Sequence, residues 1–222
     1  MCELSVVIPA AGIGSRLGQG PKAWLEMDAT PLLVWVARKA LHLTNDVWAA
    51  VLPEDYAHAV ALFQRHHLPV NLITGGASRQ ESVQQLVNAS HGKWVMIQDV
   101  ARPFATVALL RSVFDHARLH GAAAAFLPPE VPVAVLEAGM VTGYHTAAEA
   151  LVFQAPQAFP RTALNRLLCE ARKTGTHRQS TAQLWLDAGR AIYPVHGEKT
   201  NIKLTTPEDW VIAQALKEYL YQ

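Results

Sequence analysis

Leu4-Ser5-Val6-Val7-Ile8-Pro9-Ala10-Ala11-Gly12-Ile13-Gly14-Ser15-Arg16-Leu17-Gly18, with Pro21-Lys22 close behind, is a short branched apolar run that breaks into a turn of small residues and glycines. Such a run reads as a buried strand. The turn lets backbone N–H groups approach a polyphosphate closely, and Arg16 and Lys22 add positive charge beside them. A tight corner after a first strand would look similar, but the two cations favour a nucleoside triphosphate site. The glycines miss the dinucleotide fingerprint: counted from Gly12, a third would fall where Leu17 stands, and no acidic residue ends a second strand at the usual distance. No GxxxxGK[ST] run occurs either. A dinucleotide-dependent oxidoreductase and a P-loop NTPase are both disfavoured.

Outward from this stretch, further apolar runs suggest strands at Val47 to Leu52, Val70 to Ile73, Trp94 to Gln98, Ala122 to Leu127 and Ala191 to Val195. Between them, Leu32 to Leu41, Ser82 to Val87 and Thr106 to Leu119 carry apolar residues at helical spacing. Alternation of this kind is the mark of parallel strands joined by crossover helices. The expected class is α/β: a Rossmann-like, mostly parallel sheet with flanking helices. A last helix is marked by Thr206 as N-cap, Pro207 at its first position and Glu208 and Asp209 in its first turn, and should pack on the back of the sheet. Residues 128–157 interrupt the pattern with Pro128-Pro129, Pro132, Gly139 and Gly143 among short Val-rich pieces. They read as an extended β-arm that seeks a second copy of the chain, the alternative being a surface loop.

Bulk properties bound the function. Of 222 residues, 50% are hydrophobic and 17% charged, which suits one domain spanning 1–222. Nineteen Lys and Arg against 18 Asp and Glu leave no field strong enough to argue for nucleic acid or a membrane surface. Cys2 and Cys169 form no CxxC pair, which points to a reducing compartment. No basic leader or apolar run of about 18 residues is visible, and the expected location is the cytoplasm. His116 and His120 lie four apart on a helix, yet only Asp115 is near them, so a solvated helix face is preferred to a zinc site. The six tryptophans read as core or interface rather than base-stacking platforms. Lys39, Lys93 and Lys217 read as surface charges.

Three more segments carry a resemblance: Gly75-Gly76-Ala77-Ser78-Arg79-Gln80-Glu81-Ser82-Val83, Asp99-Val100-Ala101-Arg102-Pro103 and Asn201-Ile202-Lys203-Leu204-Thr205. Together with the opening loop and Ala155-Pro156-Gln157, their order and spacing resemble the 2-C-methyl-D-erythritol 4-phosphate cytidylyltransferase family over essentially the whole chain. The resemblance implies transfer of CMP from CTP to that acceptor with release of pyrophosphate, in isoprenoid precursor synthesis, by a cytoplasmic homodimer joined through the arm. It further implies that Ala10, Ala11, Gly12, Gly14, Ser15, Gly76 and Ser82 frame the nucleotide, with Arg79 anchoring the loop. Asp99 and Arg102 would face the ribose and acceptor. Arg16, Lys22 and Lys203 would be catalytic, and Mg²⁺ would be held by the phosphates and Asp99. Alone, Asp99-x-x-Arg102 would read as a helix-cap ion pair.

The chain departs from the family's pattern at Val131 to Ala134, at Ala147 to Glu149 and at Gln179 to Ala182, segments that serve the acceptor in the family. Lost donors there weaken the case for one acceptor. Ribitol 5-phosphate or another polyol phosphate is the alternative substrate, and a non-catalytic CTP-binding module is the alternative of another class. Arg161, Arg178 and Arg190 are candidates to compensate.

Overall fold

The computed structural model describes residues 2–12, 14 and 20–220. Its strands are β1 (Leu4–Pro9), the two-residue β2 (Glu26–Met27) and β3 (Thr30–Pro31), β4 (Val47–Val51), β5 (Asn71–Thr74), β6 (Trp94–Ile97), β7 (Ala123–Leu127), β8 (Val133–Glu137), β9 (Met140–His145), β10 (Val152–Pro160) and β11 (Tyr193–His196). The helices are α1 (Leu32–Leu41), α2 (Tyr56–Arg65), α3 (Arg79–Ala89), α4 (Val107–His120), α5 (Arg161–Thr174), α6 (Thr181–Asp187) and α7 (Pro207–Leu220). Seven strands form one sheet in the order β11-β7-β10-β6-β1-β4-β5. All run parallel except β10, which is antiparallel to both neighbours. The α/β expectation holds.

β1 lies inside the sheet, between β6 and β4, because its side chains are apolar on both faces. Val6 and Ile8 point into one hydrophobic cluster with residues of α1, α2 and α4. Val7 points the other way, into a cluster with α3, α5 and α6. Burial on two faces is what parallel strands joined by crossover helices require. The helix signals are local as well: α1 buries Leu32, Leu33, Val36, Ala37 and Ala40 along one stripe, so Leu33→Ala would cost about 2–5 kcal/mol. α4 starts where Thr106 Oγ1 accepts from Leu109 N and stops at Gly121, whose φ of 87° an L side chain resists.

Several expectations need correction. The strands at Val70 and Ala191 begin later, at Asn71 and Tyr193, and the helix expected from Ser82 starts at Arg79 because Ser78 caps it. The sequence places Cys169 in a helical stretch and a helix end at His66-His67, which are α5 and the end of α2, but no bounds could be set for α2, α5 or α6. The arm expected over 128–157 is shorter: from Val152 the chain re-enters the central sheet as β10, pairing Ala158 with Met96 and Gln157 with Ile97. What protrudes is the β8–β9 hairpin, turned by Ala138 and Gly139 with φ of 48° and 83°, the signs a two-residue hairpin turn needs. α7 begins where Thr206 and Pro207 place it, with Asp209 N donating to Thr206 Oγ1 at 3.3 Å. It buries only Ala213, and so lies at the rim of the core. No helix is long and apolar enough to cross a membrane among the described residues.

Candidate active site

A cleft of about 460 Å³ opens at the carboxyl ends of β1, β4, β5 and β6, lined by residues that follow those strands. Ligands favour this end of an open α/β sheet, because loops diverge there and helix N-termini point in. One wall is the loop after β1, with Ala11, Gly12 and Gly14; Lys22, from the turn that follows, also faces the space. Gly14 has a φ of 68°, and its missing side chain leaves room for the carbonyl of Gly20. Gly14 therefore approaches Gly20 closely, two residues before Lys22. Ser15 and Arg16 lie outside the described residues.

The second wall is Gly76-Ala77-Ser78 at the head of α3. It is fixed by its own polar groups: Gly76 N donates to Ser82 Oγ at 3.1 Å, Ser82 Oγ donates to Ser78 O at 3.0 Å, and Ala77 N donates to Glu81 Oε2 at 2.8 Å. Ser78 Oγ completes the cap by accepting from Glu81 N at 3.1 Å. The two walls nearly touch, since a Cβ on Gly75 would stand 2.9 Å from Ser82 Oγ and nearer still to Ala11 Cβ. Ala10 lies behind this wall, buried, its amide donated to Ala50 O at 2.8 Å.

Asp99 forms the floor. Its Oδ1 accepts from Arg79 Nε at 3.1 Å and Nη2 at 2.6 Å, and its Oδ2 lies 3.2 Å from Lys203 Nζ. Burial pushes the carboxyl pKa up, but Arg79 and Lys203 outweigh that and hold it well below the usual carboxylate range. Asp99 is therefore ionised, an anionic group set among cations. Lys203 is placed from behind: Leu204 N donates to Ala101 O at 2.8 Å, and Arg102 Nη1 donates to Asn201 O at 2.6 Å.

Arg102 does not pair with Asp99 in the helix-cap manner. Its guanidinium, nine-tenths buried, turns to the carbonyls of Asn201 and Phe153. Burial lowers its pKa, against the pull of Asp99. It faces instead a smaller chamber of about 180 Å³, which shares Arg79, Asp99 and Lys203 with the main cleft and is walled by Gln154, Gln179, Ser180 and Gln183. Thus Gly12, Gly14, Lys22, Gly76, Arg79, Ser82, Asp99 and Lys203 come together on the cleft, and Arg102 joins through the chamber.

Sequence reasoning missed Leu52 and Ala77 on the cleft, and Gln154 and Gln183 in the chamber. Leu52 follows a strand end and was open to discovery by the carboxyl-end rule, whereas the glutamines belong to no motif. Of the candidate compensating cations, Arg178 is spent on Asp187, Arg190 lies over the Trp185 ring and Arg161 donates to Gly92 O. The surface reading fails for two lysines. Lys39 Nζ donates to Pro103 O at 2.5 Å, and burial, partly offset by Glu198, lowers its pKa to about 8. Lys217 is mostly covered and pairs with Asp28 at 2.6 Å. His116 and His120 stack with Tyr193, and no group of three metal-binding side chains occurs among the described residues.

The family profile described as 2-C-methyl-D-erythritol 4-phosphate cytidylyltransferase (IspD) matches residues 4–218. The enzyme of that name from Thermus thermophilus is 37% identical over 217 residues, 96% of this chain and 97% of the relative. The Bacillus cereus enzyme is 31% identical over 95% of this chain and 96% of its own. A crystal structure of the Thermus thermophilus enzyme superimposes with a TM-score of 0.81 at 32% identity, covering 97% of this chain and 99% of that one. A synthase structure from Anaerococcus prevotii, at 21% identity and a TM-score of 0.87, covers 100% of this chain and 97% of its own and shares the fold.

Proposed function

The chain belongs to the 2-C-methyl-D-erythritol 4-phosphate cytidylyltransferase family, and from that premise we propose the roles by which its residues move a cytidylyl group. The reaction is transfer of CMP from CTP to 2-C-methyl-D-erythritol 4-phosphate with loss of pyrophosphate, a step of isoprenoid precursor synthesis. The observation that carries the assignment of roles is the single cleft in which the backbone of Gly12 and Gly14, the ammonium groups of Lys22 and Lys203 and the ionised Asp99 all face one space.

Cytosine lies between Ala11 and Gly76, which line the cleft from opposite walls, in a small pocket of backbone groups that favours a pyrimidine. Ser82 holds that pocket by tying Gly76 to the helix behind it. The triphosphate runs along the amides of Gly12 and Gly14, with Lys22 on its tail. The acceptor occupies the chamber beside Arg102, and its phosphate meets Lys203. A phosphate monoester has a second pKa near ~6, so the attacking oxygen is already anionic at neutral pH. No general base is needed. In-line attack on the innermost phosphorus accumulates charge that Lys203, Lys22 and Arg16 stabilise.

Asp99 is the sole carboxylate lining the cleft among the described residues, a donor set that fits an ion taking few protein ligands, as Mg²⁺ does. Asp99 would hold it, directly or through water. When bound, the ion neutralises phosphate oxygens and so lowers the cost of charge at the reacting centre.

The β8–β9 hairpin leaves Leu136, Met140, Val141 and Tyr144 about 70% exposed. An apolar surface of that kind on a protruding arm fits a two-fold homodimer. A cytoplasmic location is in keeping with the two free cysteines.

The test is CTP-dependent pyrophosphate release with methylerythritol 4-phosphate, ribitol 5-phosphate and erythritol 4-phosphate as acceptors. Turnover with the first above the other two is expected. CTP binding without turnover on any of them would overturn the assignment.

A further inference from the structure

Lys22 opens a single 3₁₀ turn, Lys22–Trp24, with no side-chain cap at Pro21. Backbone bonds within it are few: Trp24 N to Pro21 O at 3.1 Å and Leu25 N to Lys22 O at 3.3 Å. A turn so short has little stiffness of its own. Yet its first side chain must sit where a phosphate will arrive, and a loss of placement of about an ångström is costly in catalysis.

What stiffens the turn lies two residues on. Trp24 Nε1 donates to Asp55 Oδ2 at 2.8 Å, and the indole lies flat on the imidazole of His58, with centroids 4.4 Å apart and planes at 14°. Asp55 ends a second 3₁₀ turn, Pro53–Asp55, and its amide donates to the carbonyl of Leu52 at 3.0 Å. Leu52 is itself a wall of the cleft. One indole therefore bridges the segment that presents Lys22 and the segment that presents Leu52. From the other side, Ala23 is buried, and Leu32 N donates to Leu25 O at 2.9 Å, so the turn is gripped at both ends.

We propose that Trp24 is a positioning residue for Lys22, and that Asp55 and His58 are the fixed points against which it holds that lysine toward the triphosphate. The inference rests on the role given to Lys22 above. Asp55 is only partly buried and His58 is exposed, so shortening either leaves the core intact.

Calorimetric CTP affinity tests this without relying on turnover, using the whole chain as Asp55→Ala, Asp55→Asn, His58→Ala, Trp24→Leu, Lys22→Ala and the double variant Asp55→Ala with Lys22→Ala. Loss of a hydrogen bond to a charged acceptor should weaken CTP about tenfold in Asp55→Ala and comparably in Trp24→Leu. Asp55→Asn, which keeps an acceptor oxygen, should recover most of the loss. In the Lys22→Ala background the Asp55→Ala effect should vanish, because the bridge then has nothing to place. Equal effects of Asp55→Ala with and without Lys22 would overturn the positioning role while leaving the Lys22 assignment standing. Unchanged CTP affinity in Lys22→Ala would instead overturn the assignment on which the inference rests.

Discussion

The narrow gap between the loops after β1 and β5 is the feature most open to a decisive substitution. A methyl group added at Gly75 would stand 2.9 Å from Ser82 Oγ and closer to Ala11 Cβ, distances that real Cβ atoms do not reach. Neither neighbour can swing away: Ala11 Cβ is fixed by its backbone, and Ser82 Oγ is engaged by Gly76 N and Ser78 O. The loops must therefore part by about an ångström. Overpacking of this kind costs about 1–3 kcal/mol, and at 1.36 kcal/mol per decade that is roughly 5- to 150-fold if it falls on nucleotide binding. Gly75→Ala should raise the KM for CTP by about that factor at saturating acceptor and lower the melting temperature. Gly12→Ala is the matched control: a Cβ there meets nothing within 4 Å, so the melting temperature should hold while the KM for CTP rises, because the methyl enters the space meant for the nucleotide. A Gly75→Ala enzyme with wild-type KM for CTP would show that these loops are not the walls of the base pocket.

Lys22→Ala and Lys203→Ala should each lower kcat by about 10² or more, with little change in denaturant midpoint, because Lys203 is 41% exposed on its side chain; turnover within a few-fold of wild type in either would refute the roles given. Chelation with EDTA should abolish pyrophosphate release, and added Mg²⁺ should restore it, with full activity in chelator as the contrary result. Replacing Met140 and Val141 together by Asp should convert a dimer to a monomer in light scattering, and an unchanged mass would exclude the hairpin as the interface. Lys39 is held near pKa 8 in the fold against 10.5 when unfolded, so between those values the unfolded chain carries more protons and stability rises with pH. Urea midpoints of wild type and Lys39→Met should therefore differ in slope from pH 8 to 10, the wild type gaining more, and parallel curves would contradict a buried lysine there.

The parts of the fold legible in the sequence were those decided locally. β1, β4, β6 and β7 declare themselves as apolar runs because both their faces are buried, and α4 and α7 carry their own caps. β10 was hidden because its residues Ala155-Pro156-Gln157 continue the proline-interrupted pattern of the expected arm. Only the long-range pairing of Gln157 and Ala158 with β6 makes them a strand. α5 carries polar residues over much of its length, which masks its buried stripe of Leu164, Leu168 and Ala171, whereas α2, with Ala57, Ala59, Val60, Ala61, Leu62 and Phe63, is apolar enough to have been read. In the site, glycines and cations at strand ends could be read because their chemistry follows from residue type. The partners of those cations could not: Arg79 and Lys203 meet Asp99 across 20 and 104 positions, and Arg102 reaches Asn201 across 99. The anchoring of Lys22 by Trp24 was likewise beyond reach, since Trp24, Asp55 and His58 are brought together only by the packing of the Lys22–Trp24 turn against the Pro53–Asp55 turn and the start of α2.

A crystal structure of the enzyme grown with CTP and Mg²⁺ tests the central claim most directly. The expected result is cytosine between Ala11 and Gly76, the triphosphate on the amides of Gly12 and Gly14, and Lys22 and Lys203 within hydrogen-bonding distance of phosphate oxygens. A nucleotide bound away from the ends of β1 and β6, or one with both ammonium groups turned from it, would contradict the account.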